Sequence, residues 1–425
     1  MGYSGSNFTW SRRLGARGWI RERLDRAFVS TNWAAMFPTT KLFHVANSVS
    51  DHSILVLKSA NLTGKRRKKS KLFRFESMWL RDEGWSRVVN DAWERERNKG
   101  TNWPLLHCLE ECRTSLTKWN KHSFGHVGKQ IAVLQKKLQM LENWRGRESV
   151  VEDIYNMKME LNRWLNVEEK MWHHRSRNSW LKAGDKNTTF FHTKASNRFQ
   201  RNSINRVQVG DNTWQQDEEQ IGRIFIEYYE QLFTSSRPKV EVELLEAIHT
   251  KVIDRMNVSL LRSFNAHEVE KALRQMHPLK APGPDGMPPL FYQHFWPTVK
   301  SIVITTALDF LNHGTVPSHF HDTHIALIPK TKNPESVTDY RPISLCNMAY
   351  KLASKVVANR MKTVLQEIVC ENQSAFVAER LITDNVLVAH EMMTHISRKR
   401  KGKCGEMALK LDMSKAYDRV EWDCL

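Results

Sequence analysis

The chain has 425 residues, 40% of them hydrophobic, and carries a formal net charge of +19. This length favours two or three folding units, and the 15 tryptophans and 18 phenylalanines supply enough apolar material to exclude disorder throughout. The excess of lysine and arginine favours a polyanionic partner, because clustered cations displace counterions from phosphates. Nucleic acid is therefore favoured over a membrane.

The sequence contains no run of about 18 apolar residues, so it predicts no membrane-spanning segment and no membrane partner. The first ten residues, MGYSGSNFTW, lack the apolar core of a signal peptide. The six cysteines form no regular framework, which favours a reducing compartment. We therefore expect an intracellular protein, located in the nucleus and cytoplasm.

A zinc site built around His107, Cys108 and Cys112 is one alternative. Structural zinc sites need a second pair of ligands at a suitable spacing, and the sequence lacks such a pair. Ordinary helix residues are therefore the favoured interpretation of this group.

Residues 1–60 are predicted to be rich in β-strands. The runs FTW, RLDRAFVS and SILVLKS are apolar or β-branched and are separated by turn residues. Residues 61–71, NLTGKRRKKSK, then hold six lysines and arginines and almost nothing apolar. This composition favours a charged linker, with a nuclear-import signal or a nucleic-acid clamp as alternatives.

The pattern becomes helical from about residue 75 to residue 180. Two apolar stripes at intervals of three and four residues predict an antiparallel helical hairpin that turns near residues 145–147. Core packing explains these stripes better than a ligand-binding role. The stripes are Ile131, Leu134, Leu138 and Leu141, followed by Ile154, Met157, Leu161 and Leu165.

Residues 175–207 interleave basic side chains with the aromatic residues Trp180, Phe190, Phe191 and Phe199. Such a mixture suits a nucleic-acid single strand, because cations follow the phosphates while rings stack on bases. The alternative, in which the rings form a core and the charges face water, stays equally open. The candidate nucleic-acid-binding residues are Arg175, Arg177, Lys182, Lys186, Lys194, Arg198 and Arg201.

Helices and strands are both predicted after residue 265. AHEVEKALRQM has helical periodicity and begins after Asn265, a good capping residue. LKAPGPDGMPP cannot continue a helix because it is dense in proline and glycine. HIALIPK predicts a strand, YKLASKVVANRMKTVLQEIV a long amphipathic helix, and MALKLDM a strand that ends at Asp412.

Four ordered segments between about residues 265 and 425 carry a specific family resemblance. They are AHEVEKALRQMHPLKAPGPDGMPPLFYQHFW, IALIPKTKNPESVTDYRPISLCNMAYKLASKVVANRM, NQSAFVAERLITDNVLVAHE and KLDMSKAYDRVEW. Together they resemble the fingers and early palm of reverse transcriptases from non-LTR (LINE-type) retrotransposons, in particular those of plants. The resemblance implies an RNA-directed DNA polymerase whose partners are an RNA template, a DNA target or primer and deoxynucleoside triphosphates.

The resemblance also assigns roles to individual residues. Asp412 would be the first metal-binding aspartate of the palm and a ligand for catalytic Mg²⁺. Tyr417 would lie under the incoming sugar and exclude a 2′-hydroxyl. Lys330 and Arg341 would grip the triphosphate, for which a point charge and a fork donor are both suited. The second metal-binding motif of the family, an aromatic residue followed by Ala-Asp-Asp, does not occur after Asp412, so we expect an incomplete magnesium site.

Residues 2 to about 58 carry a second resemblance, through GYSGSNFTWSRRL, RERLDRAFVS and SVSDHSILVL. These segments resemble the carboxyl end of an apurinic-type endonuclease domain, which precedes the polymerase in such elements. The resemblance implies that His52 meets the scissile phosphate, that Asp25 orients its imidazole, and that Asp51 completes the cluster. Because the other ligands of that family have no match here, we expect an incomplete active site.

The predicted fold class is α+β, with a partial β-sandwich endonuclease remnant at 1–60, a basic helical linker at 61–260, and the fingers and start of the palm of a right-hand polymerase at 261–425. Residues 72–207 resemble the linker that plant elements place between the two enzymes. The favoured function is target-primed reverse transcription by two-metal nucleotidyl transfer in the ancestral enzyme. The alternative is a catalytically inactive nucleic-acid-binding remnant.

Overall fold

The computed structural model forms two compact units, Met1–Gln200 (unit 1) and Arg201–Leu425 (unit 2). Each unit combines helices with small sheets, which confirms the predicted α+β class. The structure describes residues 3–13, 19–30, 33, 37, 40–47, 50–58, 72–82, 84–100, 103–143, 150–176, 188–210, 213–237, 250–316, 319–400, 405–413 and 415–421.

The described residues of unit 1 begin with five short strands, as the sequence predicts for residues 1–60. Strand β4 lies between β1, to which it is parallel, and β5, to which it is antiparallel, while β2 and β3 form a separate antiparallel pair. The strands are β1 (Tyr3–Gly5), β2 (Trp10–Arg13), β3 (Trp19–Glu22), β4 (Lys41–Val45) and β5 (Ile54–Lys58).

The run RLDRAFVS, residues 23–30, forms no strand, contrary to the β-rich pattern. Alternate side chains in it are half-buried, as they would be in a strand, but no partner strand is described beside it. Its side chains make the contacts instead: the guanidinium of Arg23 lies 4.4 Å from the ring centre of Tyr3. Thr9 holds Asp25 in place, because the backbone N–H of Asp25 donates a 2.8 Å hydrogen bond to Oγ1 of Thr9.

The described residues then form five α-helices that begin in unit 1. The last of them, α5, continues two residues into unit 2. The helices are α1 (Gly84–Arg97), α2 (Pro104–Trp119), α3 (Val127–Asn143), α4 (Val150–Ser176) and α5 (Thr188–Asn202), and a short 3₁₀ helix (Ser77–Arg81) precedes them.

Helices α1 and α2 pack around a tryptophan-rich core that contains Cys108 and Cys112. The Cys108 thiol points to the carbonyl of Trp93 at 3.7 Å, and burial raises its pKa to about 11. Burial also raises the pKa of Cys112. His107 is exposed. Cys108 and Cys112 therefore belong to the helix core and His107 to the exposed side of α2, as the interpretation of ordinary helix residues predicts.

Helices α3 and α4 pack against each other, which confirms the predicted hairpin. Leu138 of α3 and Leu161 of α4 are completely buried. Glu142 near the end of α3 lies 3.6 Å from Lys158 in the first half of α4, as antiparallel packing requires. The predicted break at residues 145–147 lies outside the described residues.

Unit 2 is mainly helical, with two antiparallel strand pairs, β6–β7 and β8–β9. Within the described ranges, no helix of either unit combines the length and the apolar character needed to cross a membrane. The elements of unit 2 are β6 (Val207–Gln208), β7 (Trp214–Gln215), α6 (Glu218–Phe233), α7 (Asp254–Leu261), α8 (Ala266–Gln275), α9 (Pro289–His294), α10 (Trp296–His313), β8 (Thr323–Pro329), β9 (Tyr340–Cys346), α11 (Met348–Met361), α12 (Leu365–Ile368), α13 (Ile382–Arg398) and α14 (Ala416–Arg419).

The start of α8 is capped as the sequence predicts. Asn265 accepts a hydrogen bond from the backbone N–H of Glu268, and the Glu268 carboxylate accepts one from the N–H of Asn265. The same carboxylate pairs with the buried guanidinium of Arg360 in α11 at 2.9 Å. This ion pair ties the helix start to α11.

The loop GPDG, residues 283–286, packs against the end of β9 and the start of α11. Asp285 accepts hydrogen bonds from the N–H groups of Met348 (2.9 Å) and Met287 (3.3 Å), and burial raises its pKa to about 6. A Cβ at Gly283 would lie 2.3 Å from the carbonyl oxygen of Cys346, so only glycine fits there. The loop therefore fixes the end of β9.

Strand β8 confirms the strand predicted for HIALIPK. The long helix predicted for residues 350–369 is wrong in its middle, because a turn at 362–364 separates α11 from α12. The hydroxyl of Thr363 donates a 2.7 Å hydrogen bond to the carbonyl of Arg360 and so competes with the helical backbone pattern.

The strand predicted for MALKLDM is also wrong: residues 405–413 are described, and they form neither strand nor helix. A strand needs a hydrogen-bonded neighbour, and the described residues place none beside this segment. The alternating side chains of Met407 (86%) and Leu411 (85%) are exposed instead of buried. Asp412 therefore lies on an irregular, exposed segment.

Candidate active sites

Lys330 and Arg341 lie on one face of the β8–β9 pair. Arg341 is directly opposite Ile328 in the antiparallel register, and the N–H of Lys330 extends the ladder by donating to the carbonyl of Asp339 at 2.8 Å. Side chains two residues apart on a strand share a face, so Lys330 and Arg341 are diagonal neighbours. Both side chains are exposed. The structure thus brings together the two residues predicted to grip a triphosphate.

The 3₁₀ turn Val337–Asp339 holds Lys330 in place. The ammonium of Lys330 donates a 2.8 Å hydrogen bond to the carbonyl of Thr338. Asp339 accepts hydrogen bonds from the N–H groups of Glu335 and Ser336, and these bonds lower its pKa. An ammonium has three donors, so the contact with Thr338 orients Lys330 and leaves donors that can reach a phosphate.

The opposite face of the β8–β9 pair is buried against α6. Tyr340 packs edge-on against Phe225, with ring centres 5.3 Å apart, and Leu327 joins the same cluster. Leu327 and Tyr340 alternate with Ile328 and Arg341 along their strands. Because Leu327 and Tyr340 pack against α6, the face that carries Lys330 and Arg341 points outward.

Asp412 and Tyr417 follow in the C-terminal part of unit 2. Both are exposed, Tyr417 to 98%, and Tyr417 lies on the single turn α14. Within the described part of the chain, Asp412 makes no ion pair or hydrogen bond with Lys330, Arg341 or Tyr417. The structure therefore places the two residues predicted to grip a phosphate side by side, and the described residues show no such contact with the predicted metal ligand.

The described residues do not form a magnesium site by themselves. Mg²⁺ needs several oxygen ligands in near-octahedral geometry, and the described residues contain no group of three or more acidic, histidine or cysteine side chains suited to hold a metal ion. Asp412 supplies one carboxylate. The expectation that this site is incomplete stays a prediction for the chain as a whole.

In unit 1, the structure brings Asp25 and His52 together as predicted. Nδ1 of His52 lies 2.8 Å from Oδ2 of Asp25, and this hydrogen bond raises the pKa of His52 and lowers that of Asp25. Asp51 bonds to a different partner, because its Oδ2 accepts a 3.0 Å hydrogen bond from the indole N–H of Trp10. The isolated bridge between Trp10 and His52 joins the two segments.

The α3–α4 hairpin supplies one wall of the cleft that contains His52. Asp51 and His52 line the cleft together with Glu142 and Lys158 of the hairpin. Burial raises the pKa of Glu142, while Lys158 opposes this shift. Sequence patterns could not have found these wall residues, since nothing local links the hairpin to the N-terminal strands.

Three of the predicted nucleic-acid-binding residues are exposed at intervals of four and three residues along α5: Lys194, Arg198 and Arg201. This spacing places them on one helix face. Arg175, at the end of α4, instead pairs with Glu76 at 3.0 Å. Arg177, Lys182 and Lys186 lie outside the described residues.

Comparison with known families identifies the class of the C-terminal region. Residues 328–425 match the family model for reverse transcriptase (RNA-dependent DNA polymerase). The matched range includes Lys330, Arg341, Asp412 and Tyr417. The chain therefore carries a reverse transcriptase region.

The relatives are proteins of mobile elements. Over 417 residues, 94% of this chain, it is 26% identical to the transposon TX1 uncharacterized 149 kDa protein of Xenopus laevis, of which it covers 31%. It is 28% identical over 141 residues to a Pol polyprotein from the type-1 retrotransposable element R2 of Nasonia vitripennis, covering 33% of this chain and 13% of that protein. It is 25% identical over 222 residues to a probable RNA-directed DNA polymerase from transposon BS of Drosophila melanogaster, covering 49% and 23%.

These matches support the resemblance of the chain to LINE-type retrotransposon polyproteins. The chain spans about a third or less of the length of these relatives. The first match runs through both units, so both belong to the region shared with that protein. The plant lineage and the endonuclease resemblance stay predictions.

Replacing Asp25 should lower the pKa of His52. Because the hydrogen bond that the His52 ring donates to Asp25 is the largest cause of the raised pKa, Asp25→Asn is expected to return the pKa of the imidazole toward its ordinary value, so that it loses its proton at lower pH. NMR titration of the His52 ring measures this shift.

Asp51→Asn is the matched control, because Asp51 acts on His52 only as a nearby charge and should move the pKa less. Equal shifts in the two variants, or an unchanged pKa in Asp25→Asn, would contradict the pairing of Asp25 with His52.

Proposed function

We propose that this chain carries the nucleotide-gripping part of an RNA-directed DNA polymerase of a retrotransposon. The observation that carries the proposal is the exposed face shared by Lys330 and Arg341, within the range that matches the reverse transcriptase family. A deoxynucleoside triphosphate is the ligand that such a region takes up. The RNA template and the DNA target or primer would be its macromolecular partners.

The chemistry of the two side chains suits a triphosphate. Arg341 presents a planar fork that can bond two phosphate oxygens at once, and Lys330 offers a compact charge beside it. The turn at Thr338 limits the positions of the Lys330 ammonium before the nucleotide arrives. Tyr417 would support the sugar and exclude a 2′-hydroxyl, and Asp412 would be the first metal ligand.

Polymerases of this family generally depend on divalent metal ions, which activate the attacking hydroxyl and stabilise the leaving group. Asp412 alone does not meet the coordination needs of Mg²⁺. The ancestral reaction, target-primed reverse transcription by two-metal nucleotidyl transfer, would thus need ligands in addition to those described here. We therefore restrict the proposal for this chain to nucleotide binding by Lys330 and Arg341.

The second candidate function is nucleic-acid binding without catalysis. The basic face of α5, formed by Lys194, Arg198 and Arg201, favours it, together with the net charge of +19. Phe199, which is 61% exposed on the same helix, offers a ring on which a base could stack. This function requires neither active site, and an intracellular location in the nucleus and cytoplasm would suit both candidates.

We further propose that the Asp25–His52 pair is the remnant of an endonuclease site. A carboxylate that fixes an imidazole is the arrangement used for acid–base chemistry at a phosphodiester or an acyl group. Asp51 lines the same cleft but bonds to Trp10, so its predicted part in the cluster would require a change of partner.

Removing either phosphate-gripping side chain should weaken nucleotide binding. Lys330→Ala and Arg341→Ala are each expected to lower the affinity for a fluorescent deoxynucleoside triphosphate with Mg²⁺ by about tenfold or more, because each loses a charge-assisted hydrogen bond. Equilibrium fluorescence anisotropy measures the affinity.

Lys332→Ala is the matched control, since Lys332 is exposed two residues after Lys330 and the ladder that Lys330 extends does not reach it. Its affinity should stay within about twofold of wild type. If all three variants lose affinity equally, general charge and not the strand face binds the nucleotide.

Neutralising the basic face of α5 should reduce the salt dependence of single-strand binding. The triple variant Lys194→Gln, Arg198→Gln and Arg201→Gln is expected to lower the slope of log affinity against log salt concentration by about 2, the counterion release of three phosphate contacts. Anisotropy of a labelled single-stranded oligonucleotide, titrated at several salt concentrations, gives this slope.

A variant with three exposed lysines of α3 replaced, Lys129→Gln, Lys136→Gln and Lys137→Gln, loses the same charge on a different helix. It should change the slope less. Equal effects of the two variants would show that α5 is not a preferred site.

A further inference from the structure

Helix α6 contacts two parts of unit 2 that are distant in the sequence. Its Phe225 packs against Tyr340 of the β8–β9 pair. Farther along the helix, the ring of Tyr228 lies 4.1 Å from the ammonium of Lys415. The helix therefore reaches both the strands that carry Lys330 and Arg341 and the turn that carries Tyr417.

The end of α6 and the residues after it hold the segment 415–421 by further contacts. The carboxylate of Glu421 accepts hydrogen bonds from the backbone N–H of Ser236 at 3.0 Å and from its hydroxyl at 3.1 Å. Tyr229 lies near enough to Asp418 for this carboxylate to contribute to its raised pKa, although burial is the larger cause. The segment is thus attached to α6 near its start and to Ser236, three residues beyond the end of α6, near its end.

Lys415 is the strained point of this attachment. Its φ of 57° lies in the left-handed region, which costs energy for a residue with a Cβ. Its ammonium is buried, and it donates no hydrogen bond within the part of the chain that the structure describes. The charges that bear on it are those of Asp418 and Arg419, which oppose each other, and burial lowers its pKa. The face of the Tyr228 ring is therefore the direct partner that compensates for the lost hydration.

We propose that Tyr228 is a positioning residue of the nucleotide site, which acts by holding Lys415 and so fixing the turn that presents Tyr417. This inference rests on the proposed role of Lys330, Arg341 and Tyr417 in binding a nucleotide. The same helix holds the β8–β9 pair through Phe225, so α6 sets the relative position of the triphosphate-gripping face and the sugar-contacting ring.

Helix α6 lies upstream of residues 328–425, which match the reverse transcriptase family, and in the range that the sequence assigns to the linker. Its part in the nucleotide site is therefore not apparent from the matched motifs. The helix belongs with unit 2 because its apolar face completes the cluster that covers β8 and β9.

Hydrogen–deuterium exchange of the whole chain tests the attachment. The amides of Asp418, Arg419 and Val420 close the α14 turn by donating to the carbonyls of Lys415 and Ala416, so they report whether the turn stays formed. Tyr228→Leu should raise their exchange rates by about tenfold, the factor that corresponds to a partly desolvated cation–π contact.

Tyr228→Phe keeps the ring and should restore the wild-type rates. Ile226→Ala removes an exposed side chain of the same helix and should leave them unchanged. Lys415→Met should act like Tyr228→Leu, and the double variant should exchange no faster than either single variant, because both remove one contact. Faster exchange in Ile226→Ala, or unchanged exchange in Tyr228→Leu, would overturn the attachment.

Nucleotide affinity separates positioning from mere stabilisation. Tyr228→Leu should weaken triphosphate binding by about tenfold with an unchanged melting temperature, and Tyr228→Phe should restore it. Unchanged affinity together with faster exchange in Tyr228→Leu would overturn the positioning role while the proposed nucleotide site stands. If wild type binds no nucleotide, the proposed function and the positioning role both fail, and the exchange data still decide whether Tyr228 holds Lys415.

Discussion

The edge-on packing of Tyr340 against Phe225 decides which face of the β8–β9 pair is buried. Two strands alone are only marginally stable in water and need a covering helix, and α6 provides that cover. Because side chains alternate along a strand, a shift of the register by one residue would turn Arg341 inward and Tyr340 outward. The outward direction of Lys330 and Arg341 is therefore a consequence of an apolar contact on the other side of the sheet.

The sequence predicted those helices and strands that depend on capping residues and on side-chain alternation within the element itself. The helix after Asn265 begins where its capping box requires. HIALIPK forms a strand, and its Leu327 packs in the cluster formed with α6. Two predictions failed because the structure depends on hydrogen bonds that the pattern of apolar residues does not reveal. Thr363 breaks the long helix by bonding to a carbonyl in the preceding turn. Residues 407–413 have a strand pattern, but a strand forms only where a neighbour supplies hydrogen bonds.

The candidate sites show the same limit. Lys330, Arg341 and the Asp25–His52 pair could be chosen from a resemblance to known motifs, because those motifs keep a fixed order along the chain. Tyr228 and Lys158 could not, since their importance arises from contacts with residues far away in the sequence. Helix α6 and the α3–α4 hairpin both lie in the range predicted to be a linker. The first packs against the β8–β9 pair, and the second lines the cleft that contains His52.

Photo-crosslinking of an azido-deoxynucleoside triphosphate to the whole chain, followed by mass-spectrometric mapping, tests whether a nucleotide binds the exposed face of the β8–β9 pair. The label should attach to peptides containing the end of β8 or the start of β9, next to Lys330 and Arg341, and an excess of unlabelled nucleotide should remove it. Attachment confined to α5 or to other basic segments, undiminished by unlabelled nucleotide, would contradict a nucleotide site on this face and would leave electrostatic nucleic-acid binding as the function that the structure supports.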